Sequence, residues 1–302
     1  MSNPDLLSRT SHPVARPLQC GRFTLTFERP LVMGILNVTP DSFSDGGKFV
    51  TEADALRQAE QMLRDGVDII DIGGESSRPG APPVPLDAEL ARVIPLLERL
   101  REAPVPLSVD TCKPEVMRAA LAAGADMIND IWGFRLPRAI EAVRDSACGL
   151  CIMHMRGEPQ TMQRDEPQGE PFYQDVVTEV RDFLEARIEA LLQAGVAKAR
   201  LCVDPGFGFG KSVIEHNYAL LAHLPETAPH DVQPFPLLAG MSRKSMLGAV
   251  TGRAASERLA ASLAAAVCAA ERGAAIVRVH DVAQTVDALK VWSAMRAAAS
   301  HI

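Results

Sequence analysis

Short apolar segments alternate with longer segments of helical period from residue 31 onward. Eight of these segments are rich in Val, Ile, Leu and Met, and they span residues 31–37, 67–73, 105–110, 126–130, 149–155, 199–204, 236–241 and 274–280. Their apolar residues are continuous rather than alternating, as expected for strands of a parallel sheet that are buried on both faces. The pattern predicts eight βα units.

The segments between the predicted strands carry the spacing and end signals of helices. Thr51 and Asp54 resemble a capping box, and Gly66 follows as a C-terminal cap. Further helices are predicted at about 176–195, 254–272 and 281–299. Two extended segments, 18–20 and 23–27, flank Gly21-Arg22 and predict a hairpin that closes the lower end of the fold.

Repeated βα units form either an open doubly wound sheet or a closed eight-stranded barrel. Nearly every predicted strand ends in polar residues: Asn37, Asp71 with Glu75, Asp110, Asn129 with Asp130, His154, Asp204, Ser242 with Lys244, and Arg278 with His280. Barrel enzymes draw their sites from the carboxyl ends of many strands, whereas an open sheet uses one switch point. We therefore predict an α/β fold with a single (β/α)8 TIM barrel domain over residues 18–302, preceded by a flexible N-terminal arm at 1–17.

Composition narrows the class of protein further. The 302 residues are 47% hydrophobic and 23% charged, which is ordinary for a globular protein. The longest nearly apolar stretch, 259–270, is far shorter than the ~20 residues of a membrane span. The first twenty residues lack the apolar segment of a secretory signal. A net charge of −7 argues against a broad nucleic-acid surface but allows a local basic pocket. We expect no membrane and no nucleic-acid partner.

Six cysteines bear on the compartment and on possible redox or metal chemistry. Most lie in apolar stretches where a reduced cysteine packs as a small hydrophobe, which favours the cytoplasm. Cys148 and Cys151 have redox spacing, but residues three apart on a strand face opposite sides, so both are assigned to the core. His154 lacks a second ligand at zinc spacing and is interpreted as a hydrogen-bonded residue near the site.

Two long polar loops follow the first two predicted strands. The first is NVTPDSFSDGG from Asn37, and the second is GGESSRPG from Gly73. Both are too polar and glycine-rich to pack well, so we interpret them as mobile lids rather than surface turns. Arg78 in the second loop can bind a substrate anion through its planar fork of donors.

The glycine-rich segment DPGFGFGKS, which begins at Asp204, is not a nucleotide motif. A P-loop requires glycine five residues before Gly210, where Pro205 stands, and the spacing of a dinucleotide fingerprint is also absent. The segment combines a carboxylate at a strand end with two phenyl groups that we expect to be exposed, Phe207 and Phe209. This combination suits a flat polar heterocycle.

Three potential hydrogen-bond donors are predicted to meet at one corner of the barrel. Arg278 and His280 are two apart on a strand and point the same way, and Lys244 follows the preceding strand. Barrels commonly bind phosphate with the loops after strands seven and eight. One such residue alone would fit a structural ion pair equally well, but the cluster favours anion binding.

Seven ordered motifs together resemble the dihydropteroate synthase family: NVTPDSFSDGG, DIGGESSRPG, SVDT, INDI, DPGFGFGK, GMSRKS and RVHDV. They cover nearly the whole predicted barrel. The resemblance implies condensation of 6-hydroxymethyl-7,8-dihydropterin pyrophosphate with p-aminobenzoate in folate biosynthesis. Two alternatives are a methyltetrahydrofolate:corrinoid methyltransferase and a non-catalytic pterin-binding homologue. The Arg278-x-His280 pair and both long loops favour the synthase.

The resemblance also implies roles for individual residues. The expected pterin contacts are Asp110, Asn129, Met153, Asp204, Phe207 and Lys244. The expected pyrophosphate contacts are Asn37, Arg78, Arg278 and His280, with Mg²⁺ bound near Asn37. The expected borders of the p-aminobenzoate pocket are Phe43, Ser77, Pro79, Phe207 and Ser245, with Lys244 reaching both substrates. Asp45 and Asp110 are expected to stabilise the pterinylmethyl cation that forms when pyrophosphate departs.

Ser77 departs from the threonine that is usual in the family, so a methyl group beside p-aminobenzoate is absent. This departure affects expected inhibitor affinity rather than the type of reaction. Sulfonamides are expected to compete for the p-aminobenzoate position. The resemblance further suggests a homodimer whose interface uses the Ala-rich helix at about 254–272 and the last helix.

Overall fold

The structure, a computed structural model, describes residues 14–38, 52–76, 80–158, 162 and 173–299. Its strands are β1 Leu18–Cys20, β2 Phe23–Leu25, β3 Leu31–Asn37, β4 Ile69–Gly73, β5 Leu107–Asp110, β6 Met127–Asp130, β7 Gly149–Met153, β8 Leu201–Asp204, β9 Leu238–Ala239 and β10 Ile276–Val279. Its α-helices are α1 Glu52–Arg64, α2 Leu86–Leu100, α3 Pro114–Ala123, α4 Ala139–Val143, α5 Val176–Gln193, α6 Glu215–Ala222, α7 Ser245–Thr251, α8 Leu259–Glu271 and α9 Val282–Ala299. Short 3-10 helices lie at Lys198–Arg200, Leu224–Thr227 and Ala255–Glu257. Within these ranges, no helix is both long and apolar enough to span a membrane.

Eight parallel strands form the predicted barrel. Strands β3 to β8 pair in chain order, and β10 lies between β3 and β9. The barrel closes between β8 and β9, where Val203 forms a bridge with Leu237 and its amide donates to the carbonyl of Pro236 at 2.9 Å. We call this join the β8–β9 seam. The (β/α)8 fold expected from the sequence is confirmed.

The apolar strand residues divide between two core regions. Side chains such as Leu36 and Ile72 pack outward against the helices, whereas Met33, Met127 and Cys151 fill the barrel interior. A strand that must bury both faces can carry no alternating polar residues, which explains the continuous apolar segments. All six cysteines are free thiols, and the prediction that Cys148 and Cys151 belong to the core is confirmed.

The predicted hairpin closes the amino end of the barrel. Strands β1 and β2 are antiparallel, and the side chains of Leu18 and Cys20 complete the interior core. The turn depends on Gly21, whose φ is +56° and whose added Cβ would come within 2.5 Å of Asp126 Oδ1. Arg22 then binds Asp126 through two N–H groups at 3.0 and 2.9 Å. The hairpin is thus both packed and ion-paired to the barrel.

The main helix predictions hold, with shifted ends. Gly66 follows α1 with a φ of +84°, as expected of a C-terminal cap, but Thr51 lies outside the described residues. Asp175 caps α5 by accepting the amides of Val177 and Thr178. The helix expected at about 254–272 starts later, at Leu259, because a 3-10 turn precedes it.

The described part of the predicted N-terminal arm begins at Val14. Arg16 donates its amide to the carbonyl of Pro234 at 3.0 Å and forms an ion pair with Asp231 at 3.0 Å. Its guanidinium carbon lies 4.2 Å from the centroid of the Phe235 ring. This end of the arm is therefore attached to the barrel, while residues 1–13 lie outside the described part of the chain.

Candidate active site

The strand ends bring most of the predicted site residues to one end of the barrel. Asn37, Asp110 and Asp204 are the last residues of β3, β5 and β8, and Asn129 is the next-to-last residue of β6. Arg278 lies within β10, and His280 follows that strand directly. Met153, Phe207, Lys244 and Ser245 are also described, whereas Phe43, Asp45, Ser77, Arg78 and Pro79 lie outside the described residues.

An arginine bound between two carboxylates occupies the centre of this end. Arg278 Nε donates to Asp71 Oδ2 at 2.6 Å, and its Nη2 donates to Asp110 Oδ2 at 2.8 Å. Asn129 Nδ2 also donates to Asp71 Oδ2 at 3.2 Å. These four residues are called the central cluster below. The sequence marks Asp71 only as a polar strand end, and its role of holding Arg278 emerges from the structure.

Electrostatics in the central cluster depend on burial and on the arginine. Burial raises the pKa of Asp110 to about 7; Arg278 opposes this shift, and Asp71 adds to it. Burial alone would lower the pKa of Arg278, but the two carboxylates raise it above its usual value. Arg278 therefore stays charged, whereas Asp110 changes charge near neutral pH.

Lys244 lies beside this cluster. Its Nζ donates to the carbonyl of Phe207 at 2.7 Å and lies 4.7 Å from the centroid of the Phe209 ring. Burial lowers the pKa of Lys244 to about 8, against the attraction of Asp204. A Cβ added to Gly240 would lie 3.6 Å from Arg278 Cβ and 4.0 Å from Lys244 Nζ. The absence of a side chain at Gly240 thus leaves room for the stem of Arg278 and for Lys244 Nζ.

Asp204 and His280 are two further polar residues of the site. Burial raises the pKa of Asp204, and Lys244 opposes the shift; Asp204 Oδ1 accepts the amide of Gly206 at 2.7 Å. His280 Nδ1 lies 3.0 Å from Ser242 Oγ, which also accepts the His280 amide at 3.2 Å. Arg278 and His280 thus lie at the end of β10, and Lys244 lies after β9, at the N-terminus of α7.

A buried lysine organises the glycine-rich loop after β8. Lys211 Nζ donates to the carbonyls of Gly206 and Phe209 at 2.8 and 3.1 Å, and it lies 2.9 Å from His154 Nδ1. Gly206 has a φ of +71°, and an added Cβ would come within 1.9 Å of the His154 carbonyl oxygen. The glycine is required by this close approach. The hydrogen-bonded role predicted for His154 is confirmed.

The expectation that both phenyl groups of this loop are exposed is wrong. Phe207 is fully buried in the outer core, where it packs among helix and strand residues rather than facing the site. Phe209 is also largely buried, but it packs with Met153 and Met155 under Lys244. The structure therefore gives the apolar surface at the site to Phe209 in place of Phe207. Two phenylalanines in one loop offer no sequence signal that separates them.

Asn37 is the residue expected to hold magnesium. Its Oδ1 lies so close to the end of β4 that a Cβ on Gly73 would be 3.1 Å away. No group of three or more His, Cys, Asp or Glu within the described residues is arranged to hold a metal. Magnesium needs few protein ligands when phosphate and water supply the others, so one amide oxygen fits a phosphate-bound ion.

Comparisons with known proteins identify the family of this chain. Residues 33–280 match the family model described as pterin binding enzyme, so the chain belongs to that family. The particular relatives are dihydropteroate synthases. The enzyme of Neisseria meningitidis serogroup B is 50% identical over 283 residues, which cover 92% of this chain and 96% of that relative. The resemblance inferred from the seven motifs is confirmed.

Solved structures extend the comparison to bound molecules. Burkholderia cenocepacia dihydropteroate synthase complexed with 7,8-dihydropteroate is 68% identical, with a TM-score of 0.88, and the match covers 96% of this chain and 99% of that chain. Yersinia pestis dihydropteroate synthase in a sulfonamide drug complex is 47% identical, with a TM-score of 0.85 and coverage of 93% and 99%.

Proposed function

We propose that this chain condenses 6-hydroxymethyl-7,8-dihydropterin pyrophosphate with p-aminobenzoate to give 7,8-dihydropteroate and pyrophosphate. The observation that carries the proposal is the convergence of buried carboxylate and amide groups with two cations at the carboxyl ends of the strands. Asp110, Asn129 and Asp204 supply the first kind of group, and Lys244 and Arg278 supply the second. Its relatives support the same reaction over nearly their whole length.

The buried polar atoms suit the edge of a pterin ring, which presents both donors and acceptors. Asn129 Oδ1 and Asp71 Oδ1 are buried without a hydrogen-bond partner in the described part of the chain. An unpaired buried acceptor costs ~1–3 kcal/mol, so a ligand N–H at this place is favoured. Asp204 adds a further acceptor. Phe209 and Met153 offer the apolar surface for the ring.

The cationic groups suit the departing pyrophosphate. A guanidinium has five N–H donors, so the two carboxylates bound to Arg278 leave donors for phosphate oxygens. We assign His280 and Arg78 to the same role, and Asn37 to holding Mg²⁺. A bound Mg²⁺ would neutralise charge on the pyrophosphate oxygens.

The reaction breaks the bond between the pterin methylene carbon and the pyrophosphate oxygen, and the bonding electrons leave with pyrophosphate. The amine nitrogen of p-aminobenzoate forms the new bond to this carbon and then loses a proton. The ionised carboxylate of Asp110, with Asp45, stabilises positive charge on the pterinylmethyl group. This is charge stabilisation by preorganised groups, and it needs no covalent nucleophile.

The proposal places p-aminobenzoate beside Lys244 and Ser245. Ser245 is exposed at the first residue of α7 and directly follows Lys244. Phe43, Ser77 and Pro79 are assigned to the same pocket by the family motifs. Sulfonamides would occupy this position, in keeping with the drug complex of the Yersinia pestis relative.

We also propose a cytoplasmic homodimer. Large apolar side chains are exposed on α7, α8 and α9, including Val250, Leu259, Val291 and Met295. Exposed apolar side chains on neighbouring helices favour association, and the free thiols fit a reducing compartment. Light scattering at increasing protein concentration tests the dimer, and a constant monomer mass would contradict it.

Turnover is the direct test of the reaction. Purified protein is incubated with the pterin pyrophosphate, p-aminobenzoate and Mg²⁺, and the release of both pyrophosphate and dihydropteroate is followed. We expect equal amounts of the two products, and no dihydropteroate when p-aminobenzoate is omitted. Failure to form either product while the protein binds the pterin would support a non-catalytic pterin-binding homologue.

A pair of variants tests how the site divides between pterin and phosphate. Asp204→Asn should weaken binding of a pterin without phosphate by roughly ten- to a hundredfold and spare pyrophosphate, because a charge-assisted hydrogen bond contributes ~1.5–3 kcal/mol. Arg278→Ala should show the reverse. Calorimetry measures both ligands, and circular dichroism confirms folding. Equal loss of both ligands in both folded variants would contradict this division.

A further inference from the structure

Arg243 stands between two site residues in a strained backbone conformation. Its φ is +59°, a left-handed value that side chains other than glycine rarely adopt. Ser242 on one side contacts His280, and Lys244 on the other side contacts the Phe207 carbonyl. The turn at Arg243 therefore determines where two groups of the site lie.

The side chain of Arg243 binds the residue that follows His280. Its Nε donates to Asp281 Oδ2 at 3.1 Å, and its Nη2 donates to Asp281 Oδ1 at 2.5 Å. A two-point contact between the planar guanidinium and a carboxylate restricts orientation as well as distance. We call this contact the Arg243–Asp281 clasp. It joins the loop after β9 to the loop after β10.

The backbone of Arg243 is also fixed. Its amide donates to Ser262 Oγ at 3.0 Å, and its carbonyl accepts Arg258 Nη1 at 2.9 Å. Both partners come from the start of α8, outside the site. Gly248 leaves room for this arginine, because an added Cβ would lie 2.1 Å from Arg258 Nη2. The strained turn is thus held by its side chain and by both of its backbone polar groups.

Stability does not account for this arrangement. The Arg243 side chain is 40% exposed, and ion pairs at that exposure contribute little to folding. A strained residue that is held on all sides is more readily explained by the placement of its neighbours. The neighbours here are Lys244 and, through Asp281, His280.

We propose that Arg243 and Asp281 are positioning residues that set the separation of Lys244 from His280 and thereby align the two ends of the pterin pyrophosphate. This inference rests on the proposed function. Neither side chain is assigned a contact with substrate. Each acts through the residue beside it in the chain.

Three variants test the clasp. Arg243→Asn removes the guanidinium but tolerates a left-handed φ, so it separates the contact from backbone strain. Asp281→Asn removes the charge of the partner. Each should lower kcat/KM by up to about a hundredfold, the loss that a small misplacement of a reacting group can cause. Arg243→Lys keeps the charge without the fork and should restore activity in part.

The double variant of Arg243→Asn and Asp281→Asn supplies a sharper criterion. If the clasp is the cause, the kcat/KM of the double variant is no lower than that of the less active single variant, because both changes remove the same contact. Additive losses would show that each side chain acts independently, for example by touching substrate, and would overturn the proposal.

The chain offers a matched control at the opposite end of the barrel. Arg29 also binds a carboxylate at two points, donating from Nη1 and Nη2 to Asp68 at 2.8 and 2.7 Å, and its side chain is 47% exposed. Arg29→Asn should leave kcat/KM unchanged. All variants are compared per folded protein, with melting temperatures measured alongside. Clasp variants that behave like Arg29→Asn would refute a positioning role.

Binding of inorganic pyrophosphate separates this proposal from the proposed function. Calorimetry should show about tenfold weaker binding in both single clasp variants and unchanged binding in Arg29→Asn. A wild-type protein that binds pyrophosphate but does not turn over would contradict the reaction alone. Clasp variants with wild-type pyrophosphate affinity and wild-type kcat/KM would contradict the clasp alone.

Discussion

Replacing Arg278 with methionine should destabilise the protein to a degree that depends on pH. Methionine retains much of the length of the side chain but leaves Asp71 and Asp110 facing each other without a cation. Removing one partner from a buried ion pair costs ~3–5 kcal/mol, because a buried charge is left uncompensated. We expect a loss of that order in the free energy of unfolding near neutral pH.

The pH dependence follows from Asp110. Its pKa is already raised to about 7, and Arg278 is the group that holds it down, so the variant should raise it further. A carboxyl group whose folded pKa exceeds its unfolded pKa binds an extra proton in the folded state, so stability falls as pH rises towards the folded pKa. In the wild type this fall ends near pH 7. In Arg278→Met the free energy of unfolding should continue to fall above pH 7, by up to ~1.4 kcal/mol per pH unit.

Urea unfolding at about pH 7 and about pH 9 measures this difference, and we expect the penalty of Arg278→Met to grow by roughly 2 kcal/mol between them. Arg200→Met is the matched control. Arg200 is also buried, but its guanidinium donates to the carbonyls of Cys148 and Val143 rather than to carboxylates. Its penalty should be equal at both pH values. A constant or shrinking penalty for Arg278→Met would refute the reasoning.

Three further predictions concern activity and packing. The wild-type kcat/KM should rise as pH passes about 7, where Asp110 ionises, and fall above about 8, where Lys244 loses its proton. Asp110→Asn should abolish the rise. An unchanged pH profile in this variant would contradict the assignment. Phe207→Ala should reduce the free energy of unfolding by ~3–5 kcal/mol in urea titrations, whereas Phe209→Ala should mainly weaken pterin binding in calorimetry. A larger loss of stability in Phe209→Ala and a larger loss of pterin affinity in Phe207→Ala would argue against the placement of these rings. Gly206→Ala should lower the melting temperature clearly, because its Cβ would overlap a backbone carbonyl oxygen, and a wild-type melting temperature would count against that contact.

The barrel could be predicted because the residue pattern of each strand follows from the place of that strand in the fold. Strands buried on both faces are continuously apolar, and polar residues are tolerated only where the strands end. Asn37, Asp110 and Asp204 were therefore recognisable from position alone, and each ends a barrel strand in the structure. The ends of the shortest strand were less clear, because the apolar segment 236–241 continues beyond the paired residues Leu238–Ala239.

The partners of the site residues could not be predicted in the same way. Asp71 is 207 residues before Arg278, and nothing local to either indicates that they form an ion pair. The sequence suggested that Arg278 serves phosphate alone, whereas the structure adds two carboxylates that hold it. Phe207 and Phe209 share one loop, and only the three-dimensional path of that loop decides which ring reaches the site.

The β8–β9 seam has a consequence for how the barrel opens. It is joined by the isolated bridge between Val203 and Leu237, whereas β3 and β4 pair at five positions, so the seam has fewer cross-strand hydrogen bonds than the β3–β4 join. Local openings favour places with few backbone hydrogen bonds, so amide hydrogens at the seam should exchange with solvent early. Asp204 and Lys244 lie on opposite sides of it. A pterin that contacts both would act as a cross-link, and its binding should slow exchange at the seam more than in the strands across the barrel.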